Sequence, residues 1–185
     1  MMPRRDTLVR SLHDIGLAAW FGGTLMGTIG LNGGAASAGS PDERLEIAAR
    51  GWSLWTPVQW AAIVVHGIGG IGLIRGNKLR LVGQLESRRN TAVKAAITGL
   101  AVASSLGSAV AGKVMSDHSD EAAEGVTEPA PSSSTALQRA QRIQRVLQWT
   151  TPVLTAVLIV LAAQQGEQQR PIKGLFRTTL DNFRR

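Results

Sequence analysis

Four stretches of this chain contain no Asp, Glu, Lys or Arg: Ile15 to Ala38, Gly51 to Ile74, Ala95 to Gly112 and Val146 to Gln165. Each is about long enough to cross a ~30 Å hydrocarbon layer as a helix. The expected fold is therefore all-α, an integral membrane four-helix bundle. The mean hydropathy of +0.04 is low for four spans; polar loops and Gly/Ala-rich helices account for that.

Charge placement predicts the orientation. The net charge is +7, which could suggest a nucleic-acid partner. Segments 1–14, 75–94 and 164–185 hold 3, 6 and 5 Lys/Arg, 14 of the 20, while 39–50 and 113–145 hold 2 and 4 beside 8 of the 13 acids. Positive loops stay inside, so both termini are expected in the cytoplasm of a plasma (inner) membrane protein, with no nucleic-acid partner. The basic inner segments are suited to anionic lipid headgroups.

The chain also repeats itself. At an offset of 95, Glu43, Arg44 and Arg50 meet Gln138, Arg139 and Arg145, and Thr56-Pro57-Val58 meets Thr151-Pro152-Val153. At an offset of 84, Arg4-Arg5-Asp6-Thr7 meets Arg88-Arg89-Asn90-Thr91. This reads as a two-helix hairpin duplicated in parallel, 1–83 and 84–185, with 11 extra residues in the second outer loop. Arg4-Arg5, an apolar run and Ala36-Ser37-Ala38 have the layout of a signal peptide. The matching third helix argues that the first is a retained span.

Local signals place the helix ends and faces. Gly16, Ala19, Gly23, Gly27 and Gly30 lie near one face of helix 1, and Ala95, Gly99, Ala103, Gly107 and Ala111 form a ridge on helix 3; small residues at this spacing suit close helix contacts. These faces are expected to dock helices, a protein partner or a second copy. Asn32-Gly33-Gly34 is expected to stop helix 1, and Ser40-Pro41-Asp42-Glu43 to start helix 2 with Ser40 as its cap, matched by Thr135 and Gln138 before helix 4. Residues 41–51 form an amphipathic segment expected along the outer interface. Pro57 and Pro152 should kink their helices, and 117–134 reads as a solvated loop without a core.

His66 is the most informative polar residue, about 13 Å inside Arg75 on helix 2. Ionisable groups at such depth mark functional sites by default, although a histidine bonded to a neighbouring carbonyl, or to Thr24, Thr28 or Ser104, would be structural. His13 and Asp14 lie one turn inside Arg10. Their counterparts Ile97, Thr98 and Leu161 do not titrate, so any site is asymmetric. His13 and His66 could hold haem b, and His13, Asp14 and His66 a metal such as copper, but the expected heights of the two histidines differ by about 8 Å. His118 stands in the outer loop as a solvated residue. The chain has no Cys, no Tyr and no hydrolase, zincin or P-loop motif, so no enzyme is expected.

Through His13, Trp20 and Gly22-Gly23 the first helix resembles the His-(x)6-Trp-x-Gly-Gly opening of copper-resistance-D-type integral membrane proteins and their small relatives. The resemblance covers about one helix. It implies a polytopic inner-membrane protein in which His13 belongs to a copper or haem site and Trp20 with Gly22-Gly23 forms a packing elbow.

The leading expectation is a non-enzymatic accessory or structural subunit of a membrane assembly, without a cofactor. A haem or metal site around His66 is the alternative, and small-molecule transport the third.

Overall fold

A computed structural model describes residues 4–76 and 85–168. The elements are α1 (Arg4–Met26), a π-helical turn (Gly27–Leu31), α2 (Asn32–Ala36), α3 (Pro41–Gly76), α4 (Leu85–Asp117) and α5 (Thr135–Gln168). Because α1, the π turn and α2 follow without a break, they form one rod, and the described chain has four long helical rods. The basic segment 77–84 and the tail 169–185, expected at lipid headgroups, lie outside the described residues.

Among the described residues three helices are long and apolar enough to cross a membrane, over Glu43–Gly76, Arg88–Asp117 and Thr135–Gln164. They are compatible with a membrane-embedded protein. The first rod, expected as a fourth span, is not among them: Arg10, His13 and Asp14 make α1 more polar, and the π turn interrupts its α-helical geometry.

α1 lies along α3, and α4 along α5. Gly16, Gly23 and Gly27 of the first rod are consumed by this pairing, whereas Gly30 stays exposed. Gly16 faces the backbone of Ala62 and His66, Gly23 the ring of Trp55 and Gly27 the ring of Trp52; Gly69 of α3 faces the backbone of His13 in return. A side chain at any of these positions would hold the two backbones apart. The helix 3 ridge behaves differently. Gly107 faces Leu147 and Ala111 is buried, but Ala95, Gly99 and Ala103 are exposed.

The two pairs join through α1 and α5, at a joint made by two helix irregularities. Pro152 has no N–H, so the Gln148 carbonyl four residues back loses its helical donor. The Thr28 hydroxyl, on the π turn, lies 2.9 Å from that carbonyl and 2.9 Å from the Thr24 carbonyl, sharing its proton between them. One turn on, Asn32 donates to the Gln148 side chain (2.9 Å) and accepts from the Trp52 indole (2.8 Å). Thr28 and Asn32, four residues apart, lie on one side of the rod, and both meet Gln148 there.

That geometry corrects the expected stop at Asn32-Gly33-Gly34. The described chain has no residue with positive φ; the rod continues to Ala36. Its end is satisfied by the Ser37 hydroxyl and amide on the Gly34 carbonyl (2.7 and 3.2 Å) and the Ala38 amide on that of Ala35 (3.1 Å), so no left-handed glycine is required. α3 and α5 both continue through their prolines.

The loop 118–134 carries a core, contrary to its composition. Ala123 and Val126 enter a cluster with Ala35, Leu45, Ala48, Met115, Leu137 and Ala140. Leu45 and Ala48 of the amphipathic segment therefore face this loop, while Ile47 stays exposed. Irregular buried backbone needs partners, and three side chains from two helices supply them. Arg44 donates to the carbonyls of Ala123 (3.1 Å) and Glu124 (2.7 Å), Gln141 to those of Gly125 (3.1 Å) and Val126 (3.0 Å), and Arg145 to that of Thr127 (2.7 Å). The helix ends and the loop thus form a folded head on the rods.

The cap of α5 also differs from expectation. Ser134, not Thr135, precedes the helix; its hydroxyl accepts from the Leu137 amide (3.2 Å). The Ser134 amide in turn donates to Glu121 at 2.6 Å. This bond holds the Glu121 carboxyl below the ordinary carboxylate range, more than burial raises it, with His118 also lowering it. A depressed folded pKa contributes stability that is present above the unfolded value and lost as pH falls through the folded one. Hydrogen-exchange protection of residues 118–134, measured relative to the unstructured rate at each pH, should accordingly hold from neutral pH down to the carboxylate range and fall below it. In Glu121→Gln most of that acid response should vanish; an unchanged response would assign it to another group.

Candidate functional site

The histidine pair sits where α1 and α3 cross most closely. Gly16 and Gly69 remove two side chains from the crossing and let the backbones of His13 and His66 approach. His66 is buried, and its Nδ1 donates to the His13 carbonyl at 3.0 Å. A carbonyl only accepts, so the proton stands on Nδ1. His13 Nδ1 lies 3.0 Å from the exposed Asp14 carboxylate. The two rings are in contact, with centroids 4.2 Å apart and planes tilted by 39°. The Trp20 ring stands edge-on to His66 at 6.2 Å, and its indole N–H donates to Ser105 of α4 at 3.1 Å.

The contact overturns the expected difference in height. Val9 lies against Gly72, which brings Arg75 level with the first turn of α1 rather than with Arg10. Long basic side chains reach toward water from several depths, so Arg10 was a poor marker of where the helix enters its surroundings. His66 is held by a neighbouring carbonyl rather than by Thr24, Thr28 or Ser104. Thr28 serves the Gln148 joint, while Ser104 bonds Thr151 at 2.8 Å.

The second pair offers no equivalent site. Ile97, where the repeat places His13, packs against an apolar cluster of Leu17, Trp20, Ala62, Ala101 and Leu158. Arg10, Asp14 and Lys94 of α4 are close enough to act on one another electrostatically at the same end of the rods. His118 donates Nδ1 to the Val114 carbonyl (2.8 Å) and lies 4.0 Å from Glu121, half-buried rather than solvated.

The chain matches no family model, no curated protein and no solved structure. Its first-helix resemblance rests on the quoted residues alone. Of those, Trp20 is fully buried and Gly23 receives Trp55, whereas nothing stands against Gly22.

The pair does not fit haem as placed. Axial imidazoles on opposite sides of one iron bring their nitrogens to about 2 Å from it, which puts the ring centroids about 6 Å apart. Rings in contact at 4.2 Å leave no space for a macrocycle between them. For a metal, His66 Nδ1 is engaged with a carbonyl and His13 Nδ1 with Asp14, leaving the two Nε2 atoms. No group of three or more His, Cys, Asp and Glu able to hold a metal occurs among the described residues.

Sequence reading missed the Asn32–Gln148–Trp52 joint and the Arg44, Gln141 and Arg145 clamp. A signal for the first was present: Thr24, Thr28 and Asn32 recur every four residues inside an apolar run.

Proposed function

We propose that this protein is a non-enzymatic accessory or structural subunit of a membrane assembly in the plasma (inner) membrane. It crosses four times as a bundle of two duplicated hairpins, 1–83 and 84–185, with both termini in the cytoplasm and the head outside. The observation that carries the reading is the contrast between two small-residue faces. The face of α1 is filled by α3, while Ala95, Gly99 and Ala103 of α4 are exposed and nothing stands within 4 Å of a Cβ at Gly99. Small residues in lipid are useful where another helix approaches closely. The occupant is a helix of a protein partner or of a second copy.

The test is native electrophoresis and crosslinking of the protein in its own membrane, compared with Gly99→Leu. The reading expects a larger species in the parent that Gly99→Leu dissolves while the subunit stays folded. A lone monomer in both, with nothing captured, contradicts it.

A second reading, a metal or redox site at His66, draws support from the His13 contact. Metal analysis of the purified protein tests it: stoichiometric copper supports it, and a metal-free protein opposes it.

A further inference from the structure

At the head end the helix surfaces change from apolar to charged. Exposed apolar side chains are replaced by charged ones within about a turn: Leu54 by Arg50 on α3, Val110 by Lys113 on α4 and Val146 by Arg142 on α5. Three cations near this boundary are engaged, and Arg50 stands exposed and, among the described residues, alone on α3. Lys113 pairs with Asp117, Arg145 with Glu128 at 3.4 Å, and Arg44 with the loop carbonyls.

Arg139 and Arg142 differ. Both are exposed, they stand three residues apart on α5, and neither has a carboxylate partner among the described residues; Arg142 reaches only the neutral Gln138 side chain at 3.4 Å. Residues at this spacing are neighbours on a helix surface. Directly below them the same helix exposes Ile143, Val146, Trp149 and Val153. The outer turns of α3 instead expose Glu43 and Glu46.

We infer that Arg139 and Arg142 bind the headgroup of an anionic phospholipid in the leaflet at the head end, its acyl chain lying along Ile143, Val146 and Trp149. Guanidinium forks match phosphate oxygens in two directions at once. Trp149 sits where indoles favour the interface. The site is at the opposite end from the basic segments expected at cytoplasmic headgroups, and it selects one side of the molecule, since the α3 side sets the carboxylates of Glu43 and Glu46 beside its single exposed cation at this end, Arg50.

The inference rests on α5 spanning the bilayer, and the experiment separates the two. The full chain is incorporated into phosphatidylcholine vesicles and into equimolar phosphatidylcholine–phosphatidylglycerol vesicles. Alkaline washing comes first, followed by mass spectrometry of the lipids retained on extraction. The expected result is retention in both vesicles, enrichment of phosphatidylglycerol on the parent, and loss of about fivefold in that enrichment for each arginine removed in Arg139→Gln and Arg142→Gln. Glu43→Gln/Glu46→Gln should not reduce it. A protein washed from neutral vesicles overturns the spanning reading and the lipid site with it. Retention with the same enrichment in the double arginine variant overturns the lipid site alone.

Discussion

Trp20→Ala is expected to destabilise the protein by about 3 to 5 kcal/mol, the range for emptying a large buried aromatic site. Trp20 is fully buried at the meeting of four helices: it packs with Leu17, Ala62, Ala101 and Leu158, stands edge-on to His66 and donates to Ser105. Truncation opens a cavity that helices fixed on several sides cannot close. Trp20→Phe retains most of the volume and loses the indole bond, worth about 1 kcal/mol between helices in lipid. Reversible unfolding in mixed micelles, followed by circular dichroism, separates the two variants. Equal losses would mean that the hydrogen bond rather than the volume dominates.

Gly16→Ala should cost about 3 kcal/mol although it adds a single methyl group. A Cβ there would stand 2.6 Å from the Ala62 carbonyl oxygen and 2.6 Å from the His66 nitrogen. Both obstacles are backbone, so no rotamer change relieves them and α1 must move off α3. The His13–His66 contact should open with it. Gly22→Ala is the matched control, because nothing lies within 4 Å of its Cβ and alanine is the better helix former. The same unfolding assay should place it at or above the parent. A Gly16→Ala protein as stable as Gly22→Ala would contradict the α1–α3 packing.

These two positions also show what was legible in the sequence. The uncharged runs and the four-residue spacing of small residues pointed to long helices and to a packed face on α1, because both are local patterns. Which partner Gly16 met, and in what register, was not local. It depends on the crossing of Gly16 and Gly69, and the position of Arg10 misled because a long basic side chain is not tied to one depth. The loop 118–134 has the polar composition of a solvated segment, yet Ala123 and Val126 are buried there because Arg44, Gln141 and Arg145, remote in sequence, satisfy its carbonyls. Asn32 read as a helix stop because Asn and Gly favour turns. Within the folded chain its side chain links Trp52 to Gln148; its recurrence with Thr24 and Thr28 was local and legible, but these partners were not. At the candidate site, His66, His13 and Asp14 were identifiable as unusual residues, but their direct contact was not.

The chain contains no cysteine, which gives the most direct test of the membrane account a clean background. Single cysteines would replace Ser132, exposed in the head, and Val157, exposed on the apolar face of α5, and intact cells would be treated with a maleimide that cannot cross membranes. The account predicts labelling of Ser132→Cys from outside and none of Val157→Cys until detergent is added. Equal labelling of both would contradict a lipid-embedded α5, and labelling of Ser132→Cys only in inside-out vesicles would contradict the orientation.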